Sequence, residues 1–115
     1  MARQPSDLVT KHCTPCTSDT PALPESEVRQ TIARMPGWAL STSPRPEIAR
    51  TFKFANFHET MAFVNAVAWV AHREDHHPDL EVGYNRCAVR YSTHSIGGIS
   101  ENDLICAARV DALLT

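Results

Sequence analysis

Three observations predict an α+β fold: a four-stranded antiparallel sheet with three helices packed on one face, in the order α-β-β-α-β-β-α. Apolar residues recur at helical spacing in three segments that begin near Glu25, Asn56 and Ser100. Between them lie two pairs of short runs, each pair joined through a turn-forming stretch, which is the pattern of a hairpin. Hairpin connections make the sheet antiparallel and leave the helices segregated to one of its faces. A chain of 115 residues has room for one such domain.

The elements follow in order. Residues 1–24 carry Pro5, Pro15, Pro21 and Pro24 among Ser, Thr and Asp with no apolar period, which predicts a flexible N-terminal arm before a domain at 25–115. Val28, Ile32 and Met35 predict a short helix that Pro36-Gly37 stops. Trp38 to Leu40 and Ile48 to Phe54 flank Ser43-Pro44-Arg45-Pro46 as a hairpin with a loose loop. Parity puts Arg50 on the face of Phe52 and Phe54, so its long side chain is expected near the sheet rim, reaching water.

Asn56-Phe57-His58-Glu59 has the form of a capping box and opens a long helix to about Asp75. Phe57, Met61, Val64, Ala68 and Ala71 form its apolar stripe, broadened by Phe63, Val67 and Val70. A helix so apolar predicts cover by the sheet and by something more, a second subunit being one candidate. Pro78 ends that helix. Leu80 to Tyr84 and Ala88 to Ser92 alternate about a turn near Asn85-Arg86. Thr93 and His94 close the last strand, Gly97-Gly98 turns the chain, and Ser100-Glu101-Asn102-Asp103 caps a final helix to about Leu114.

A net charge of −2 argues against binding nucleic acid through bulk electrostatics. No apolar run approaches the roughly 20 residues that span a bilayer, and the first residues lack the apolar stretch of a signal peptide, so a cytoplasmic location is expected. Cys87 and Cys106 fall inside regular segments and read as reduced packing residues. Cys13 and Cys16 form a CxxC beside His12, one ligand short of a closed zinc site and without the βαβ context of a redox motif.

The chemistry concentrates in His76-His77-Pro78 and Thr93-His94. Imidazole gives or takes a proton near neutrality, so three of them in one pocket would make an acid/base site or a zinc site with an open position. Adjacent histidines point apart in most backbone conformations, which makes chelation by both awkward. Three surface histidines with no shared role remain the alternative. The chain has no evident nucleophile pattern, phosphate loop or dinucleotide fingerprint, so proton transfer on a small bound molecule is the chemistry left.

The motifs Asp75-His76-His77-Pro78, Val82-Gly83-Tyr84-Asn85, Ser92-Thr93-His94, Gly97-Gly98 and Ser100 with Asp103 stand together with Gly37-Trp38 and Arg50-Thr51-Phe52-Lys53-Phe54 upstream. In this order and spacing the sequence resembles the pterin-4a-carbinolamine dehydratase family over about residues 25–114. The resemblance implies a hydro-lyase without cofactor or metal, which removes water from 4a-hydroxytetrahydrobiopterin to give quinonoid dihydropterin. It would thereby recycle the pterin of aromatic amino acid hydroxylases, a functional link to such an enzyme. His76, His77 and His94 would be catalytic, and Asp75, Ser92, Thr93 and Ser95 would contact the pterin. A homodimer or homotetramer is implied, with neither nucleic acid nor membrane as partner. His76 and His94 are the expected acid/base pair, with His77 orienting substrate. Two departures stand out: His72 where animal members carry glutamate, and Leu80 where an aromatic residue is common. The same fold also serves, by resemblance, as a non-catalytic coactivator or assembly scaffold.

Overall fold

The computed structural model describes residues 3–114; Met1, Ala2 and Thr115, assigned above to the arm and the end of the domain, lie outside them. Helix α1 (Pro5–Leu8) precedes α2 (Glu25–Ile32), β1 (Ala39–Ser41), β2 (Glu47–Lys53), α3 (Phe57–Glu74), β3 (Asp79–Val82), β4 (Arg86–Tyr91) and α4 (Glu101–Ala112), with one 3-10 turn at His94–Ile96. The strands form one antiparallel sheet in the order β1-β2-β4-β3. The register pairs Ile48 with Tyr91, Arg50 with Val89 and Phe52 with Cys87, so these residues share one face. That face is the buried one: Ile48, Phe52, Cys87, Val89 and Tyr91 join Val28 and Ile32 of α2, Phe63 and Val67 of α3, and Leu104 and Ile105 of α4 in one core. On the other face Arg90 lies between Glu47 and Glu81 from the flanking strands, 3.6 Å from each.

Helix α3 opens as its capping sequence predicts, with the Asn56 side chain accepting from the Glu59 N–H at 2.9 Å. The Glu59 carboxylate reaches the N–H of Ala55 rather than that of Asn56. The buried face of α3 is Thr60, Phe63, Val67, Val70, Ala71 and Glu74: Phe63, Val67 and Val70 are those expected only to broaden the stripe, Ala71 belongs to the expected stripe, and Thr60 and Glu74 are polar additions. Phe57 and Ala68 face outward, and Trp69 is 58 % exposed. Hydropathy alone could not choose between two apolar faces; packing on Phe52 and Phe54 through Phe63 selects the one that is used.

Arg50 does not sit at a rim. It is in the middle of an interior strand, its guanidinium lies 4.4 Å from the centroid of Phe52, and Nη1 donates to Asp111 of α4 at 2.8 Å. The Trp38 indole N–H donates to the same carboxylate. Gly37 makes this possible, because its φ is +93° and a Cβ there would fall 2.7 Å from Arg50 Nε.

Residues 3–24 lie against the body. Leu8 is fully buried in the core, Arg3 Nε donates to Glu101 at 2.7 Å, and the Leu23 N–H donates to the Ile99 carbonyl. Leu8, the half-buried Val9, Cys13 and Leu23, and a set of polar bonds hold this segment, and these apolar residues are too irregularly spaced to show a period. Further along, the Cys13 N–H donates to Glu74 at 2.7 Å and His12 Nδ1 lies 2.9 Å from the same carboxylate. Asn102 exchanges two bonds with the backbone of Thr14.

Leu8→Ala should therefore cost roughly 2–5 kcal/mol, read as a lower denaturation midpoint at unchanged m-value, whereas a free arm would leave the midpoint where it was. Burial opposes ionisation of Glu74, but the Cys13 and His12 bonds with Arg109 nearby hold its carboxyl below the ordinary carboxylate value. The unfolded chain thus takes up this proton first as pH falls, so the clamp stabilises fully above the ordinary value, near ~4.3, and is lost as pH drops through the depressed folded value. Glu74→Gln should show a shallower fall of Tm than the native protein on acidification below about pH 5.

Candidate active site

The site forms where the end of α3, the end of β4 and the start of α4 meet. Helix α3 stops at Asp75, which adopts the left-handed conformation (φ 49°) and returns its N–H to the last turn. Aspartate tolerates that region better than most residues. The left-handed residue redirects the chain, and Pro78 prevents renewed helix, so His76 and His77 leave on a short extended segment.

At the end of β4, Thr93 and Gly98 pair backbone to backbone and close a one-turn 3-10 loop over His94–Ile96. Gly97 takes φ +61° at the end of that turn, and a Cβ on Gly98 would lie 3.2 Å from the Ala22 methyl. One glycine serves backbone conformation and the other serves close approach of the arm.

His76, His77 and His94 line one open cavity of about 340 Å³, together with Pro78, Asp79, Ser92, Thr93, Ser95 and Cys16. The three histidines are not equivalent. The His76 side chain is 12 % exposed, stacks on Tyr91 at 5.9 Å between centroids, and places Nε2 2.6 Å from Asp103 Oδ1. Asp103 is fully buried and its other oxygen accepts from Thr93 Oγ1 at 2.7 Å and from the Ser100 N–H at 3.0 Å. Since Thr93 donates to the carboxylate, Ser100 Oγ must donate to Thr93 across their 2.7 Å contact. Below His76 the Tyr91 hydroxyl is buried without a hydrogen-bond partner, and burial, with Cys106 beside it, pushes its ionisation well above the ordinary phenol range. His77 and His94 are exposed at the cavity.

Of the residues expected from the sequence, the three histidines, Ser92, Thr93 and Ser95 meet at this cavity, while Asp75 caps α3 and does not line it. The Thr93 hydroxyl is turned to Asp103 and Ser100, away from solvent. His72 lies on the outer side of α3 with its ring 5.6 Å from Trp69 and is not a lining residue. His12, Cys13 and Cys16 have different partners: Glu74, Cys106 and Asn102 respectively. Among the described residues no group of three or more His, Cys, Asp or Glu side chains is arranged to hold a metal ion. Sequence reasoning treated Asp103 only as a helix cap within a motif, and Cys16 only as half of a CxxC in the arm, with no tie to the histidines. The signal for Asp103 was its place at the start of α4 in a motif shared with the histidines; Cys16 had none.

The architecture is thus an antiparallel sheet covered by helices, with a histidine pocket at the junction of α3, β4 and α4. The sequence model of the family described as pterin 4 alpha carbinolamine dehydratase matches residues 21–113. A relative from Nitrosospira multiformis is 53 % identical over 107 residues, covering 93 % of this chain and 92 % of its own, and carries the provisional description pterin-4-alpha-carbinolamine dehydratase. One from Xanthomonas campestris pv. campestris, described likewise, is 53 % identical over 102 residues, 89 % of this chain and 86 % of its own. Among solved structures, a transcriptional coactivator/pterin dehydratase from Brucella melitensis superposes with a TM-score of 0.77 at 34 % identity, covering 83 % of this chain and all of that one. A pterin dehydratase-like RuBisCO assembly factor of the alpha-carboxysome reaches 0.57 at 28 % identity over 67 % of this chain and 88 % of its own. The chain belongs to the pterin-4a-carbinolamine dehydratase family.

Thr93→Val keeps shape and removes one donor to a buried carboxylate. It should lower stability by about 1–3 kcal/mol, measurable by chemical denaturation, with the fold retained by circular dichroism.

Proposed function

We propose that the protein dehydrates a pterin-4a-carbinolamine, and the observation that carries this is the convergence of His76, His77 and His94 on one cavity with Asp103 fixing the first of them. The reaction needs a proton delivered to the C4a hydroxyl, which leaves as water, and a proton removed from N5 as the C4a–N5 double bond forms. Both transfers suit imidazoles near neutral pH.

His76 has one ring nitrogen occupied by a buried carboxylate and one face against Tyr91. Such a ring is well oriented and poorly placed to swing toward a substrate. We therefore give the two proton transfers to His77 and His94, which are exposed at the cavity, and assign His76 to holding the ring system in register. This differs from the His76/His94 pairing expected from the sequence, and the reason is the Asp103 contact. Ser92 and Ser95 border the same cavity and supply hydroxyls for the polar edge of a pterin. Asp75 would act through the backbone turn that presents His76 and His77, with no direct contact.

Supporting the reading are the family membership and the descriptions of the relatives, whereas the coactivator and assembly-factor roles of the structural neighbours belong to those proteins. No helix among the described residues is long and apolar enough to cross a membrane. We extend the proposal to a cytoplasmic enzyme working as a homo-oligomer beside a pterin-dependent hydroxylase. The outward Phe57 and Trp69 of α3 are consistent with a covering subunit.

The test is to mix the protein with freshly generated 4a-hydroxytetrahydropterin and follow dehydration by absorbance. Acceleration over buffer, with kcat lowered about 10²-fold or more in His77→Ala and in His94→Ala, is expected. No acceleration would favour the scaffold reading. A deeper loss in His76→Ala than in either other variant would overturn the division of roles.

A further inference from the structure

The arm contributes to the histidine cavity at a point that proton transfer does not require. Cys16 is half-buried and lines that cavity beside Thr93 and the three histidines. It also borders a second cavity of about 190 Å³ whose lining includes Arg3, Thr14, Thr20, Ser100 and Asn102. The two spaces thus share Cys16 as a common wall.

The position of Cys16 is fixed on both sides. Asn102, itself 5 % exposed, receives the Thr14 N–H on its oxygen at 3.1 Å and donates its amide to the Thr14 carbonyl at 2.6 Å and to Cys16 Sγ at 3.0 Å. Glu74 holds the preceding turn through the Cys13 N–H and His12. Cys13 Sγ rests 3.5 Å from Cys106 Sγ, at a residue buried in α4. These anchors are neighbours in sequence of the site itself: Glu74 precedes Asp75-His76, and Asn102 precedes Asp103. A buried amide that makes three contacts to one segment orients that segment far more tightly than a surface strap would.

We propose that Cys16, carried on residues 12–16 that Glu74 and Asn102 pin, forms a wall of the active-site cavity and sets the size of the ring substituent the site admits. The proposal rests on the pterin reading for its substrate. A pterin bound among the histidines would direct a polar substituent past the small Cys16 side chain toward the space lined by Thr14, Thr20 and Arg3. Cys16 is the lining residue that the two cavities share, so a larger side chain there would close the second off from the first. Cys16 is a specificity-determining residue and takes no part in the proton transfers.

The experiment compares KM for the 4a-carbinolamines of 6-methyl- and 6-(dihydroxypropyl)-tetrahydropterin in the native protein, Cys16→Leu, Cys16→Trp and a control, Ser18→Trp, which adds the same bulk to an exposed position of the arm outside both cavities. Both Cys16 variants should raise KM for the dihydroxypropyl substrate by about tenfold or more, raise it less for the methyl substrate, and leave kcat within about twofold. Ser18→Trp should change neither. Equal KM values in all four proteins, or equal effects on both substrates, would overturn the proposal. Should the native protein accelerate neither substrate, the pterin reading falls by itself. The wall is then judged without substrate, by the ring C–H resonances of the histidines. The indole of Cys16→Trp should shift those of His77 and His94 and leave His58 unmoved, and an unshifted His77 and His94 would overturn the wall.

Discussion

A carboxylate with no exposure to water must be met by donors on every side or it destabilises the fold. Asp103 is such a group, and its donors come from three different places: the imidazole after α3, the hydroxyl after β4, and the N–H of Ser100 that opens its own helix. Satisfying one buried charge therefore fixes the relative positions of the three elements that carry the site. The same residue closes the capping box of α4 and orients His76, so helix capping and site geometry cannot vary independently. The contacts of His76 with Asp103 and Tyr91 leave it little rotational freedom, while His77 and His94 stay open to the cavity.

A second polar hub does comparable service at the other end of α4. Asp111 receives Trp38 and Arg50, tying the last helix to the chain entering β1 and to the interior strand β2. Burial pushes the Asp111 carboxyl up, against the pull of its two donors. Helix α4 is thus held at its first turn by Asp103 and near its last by Asp111, with Leu104, Ile105, Cys106, Ala107 and Val110 buried between them. The motif Gly37-Trp38 with Arg50 reads as one device: a left-handed glycine that makes room for an arginine sharing an acceptor with the neighbouring indole.

Much of this was legible in the sequence because it depends on local rules. Periodicity and punctuation located the sheet, its hairpins and α2, α3 and α4, and the proline after His76-His77 placed those residues at a helix exit. The glycine pair after His94 likewise marked a turn, since no other residue suits the φ of Gly97 so easily. What stayed hidden was non-local. The partner of Arg50 is 61 positions away, and the face of α3 that packs inward depends on Phe52 and Phe54. The packing of residues 3–24 is carried by single contacts at long separation, none of which leaves a pattern in the arm itself. The role of Asp103 toward His76 was masked by its more obvious part as a helix cap.

Those long separations bear on how the molecule is made. Arg3 meets Glu101, Cys13 meets Cys106 and Arg109 reaches Lys11, so residues 3–13 find several of their partners in the last helix, about 90 or more positions on. Loop-closure entropy opposes such contacts until the intervening sheet has brought the ends together. A nascent chain that has not yet released α4 lacks the Asp103 that orients His76, the Asp111 that receives Arg50, and the surface on which Leu8 is buried. Assembly of the pocket is thereby deferred until α4 has been made, and a ribosome-bound fragment carrying all three histidines but not α4 would still lack the Asp103 contact that orients His76.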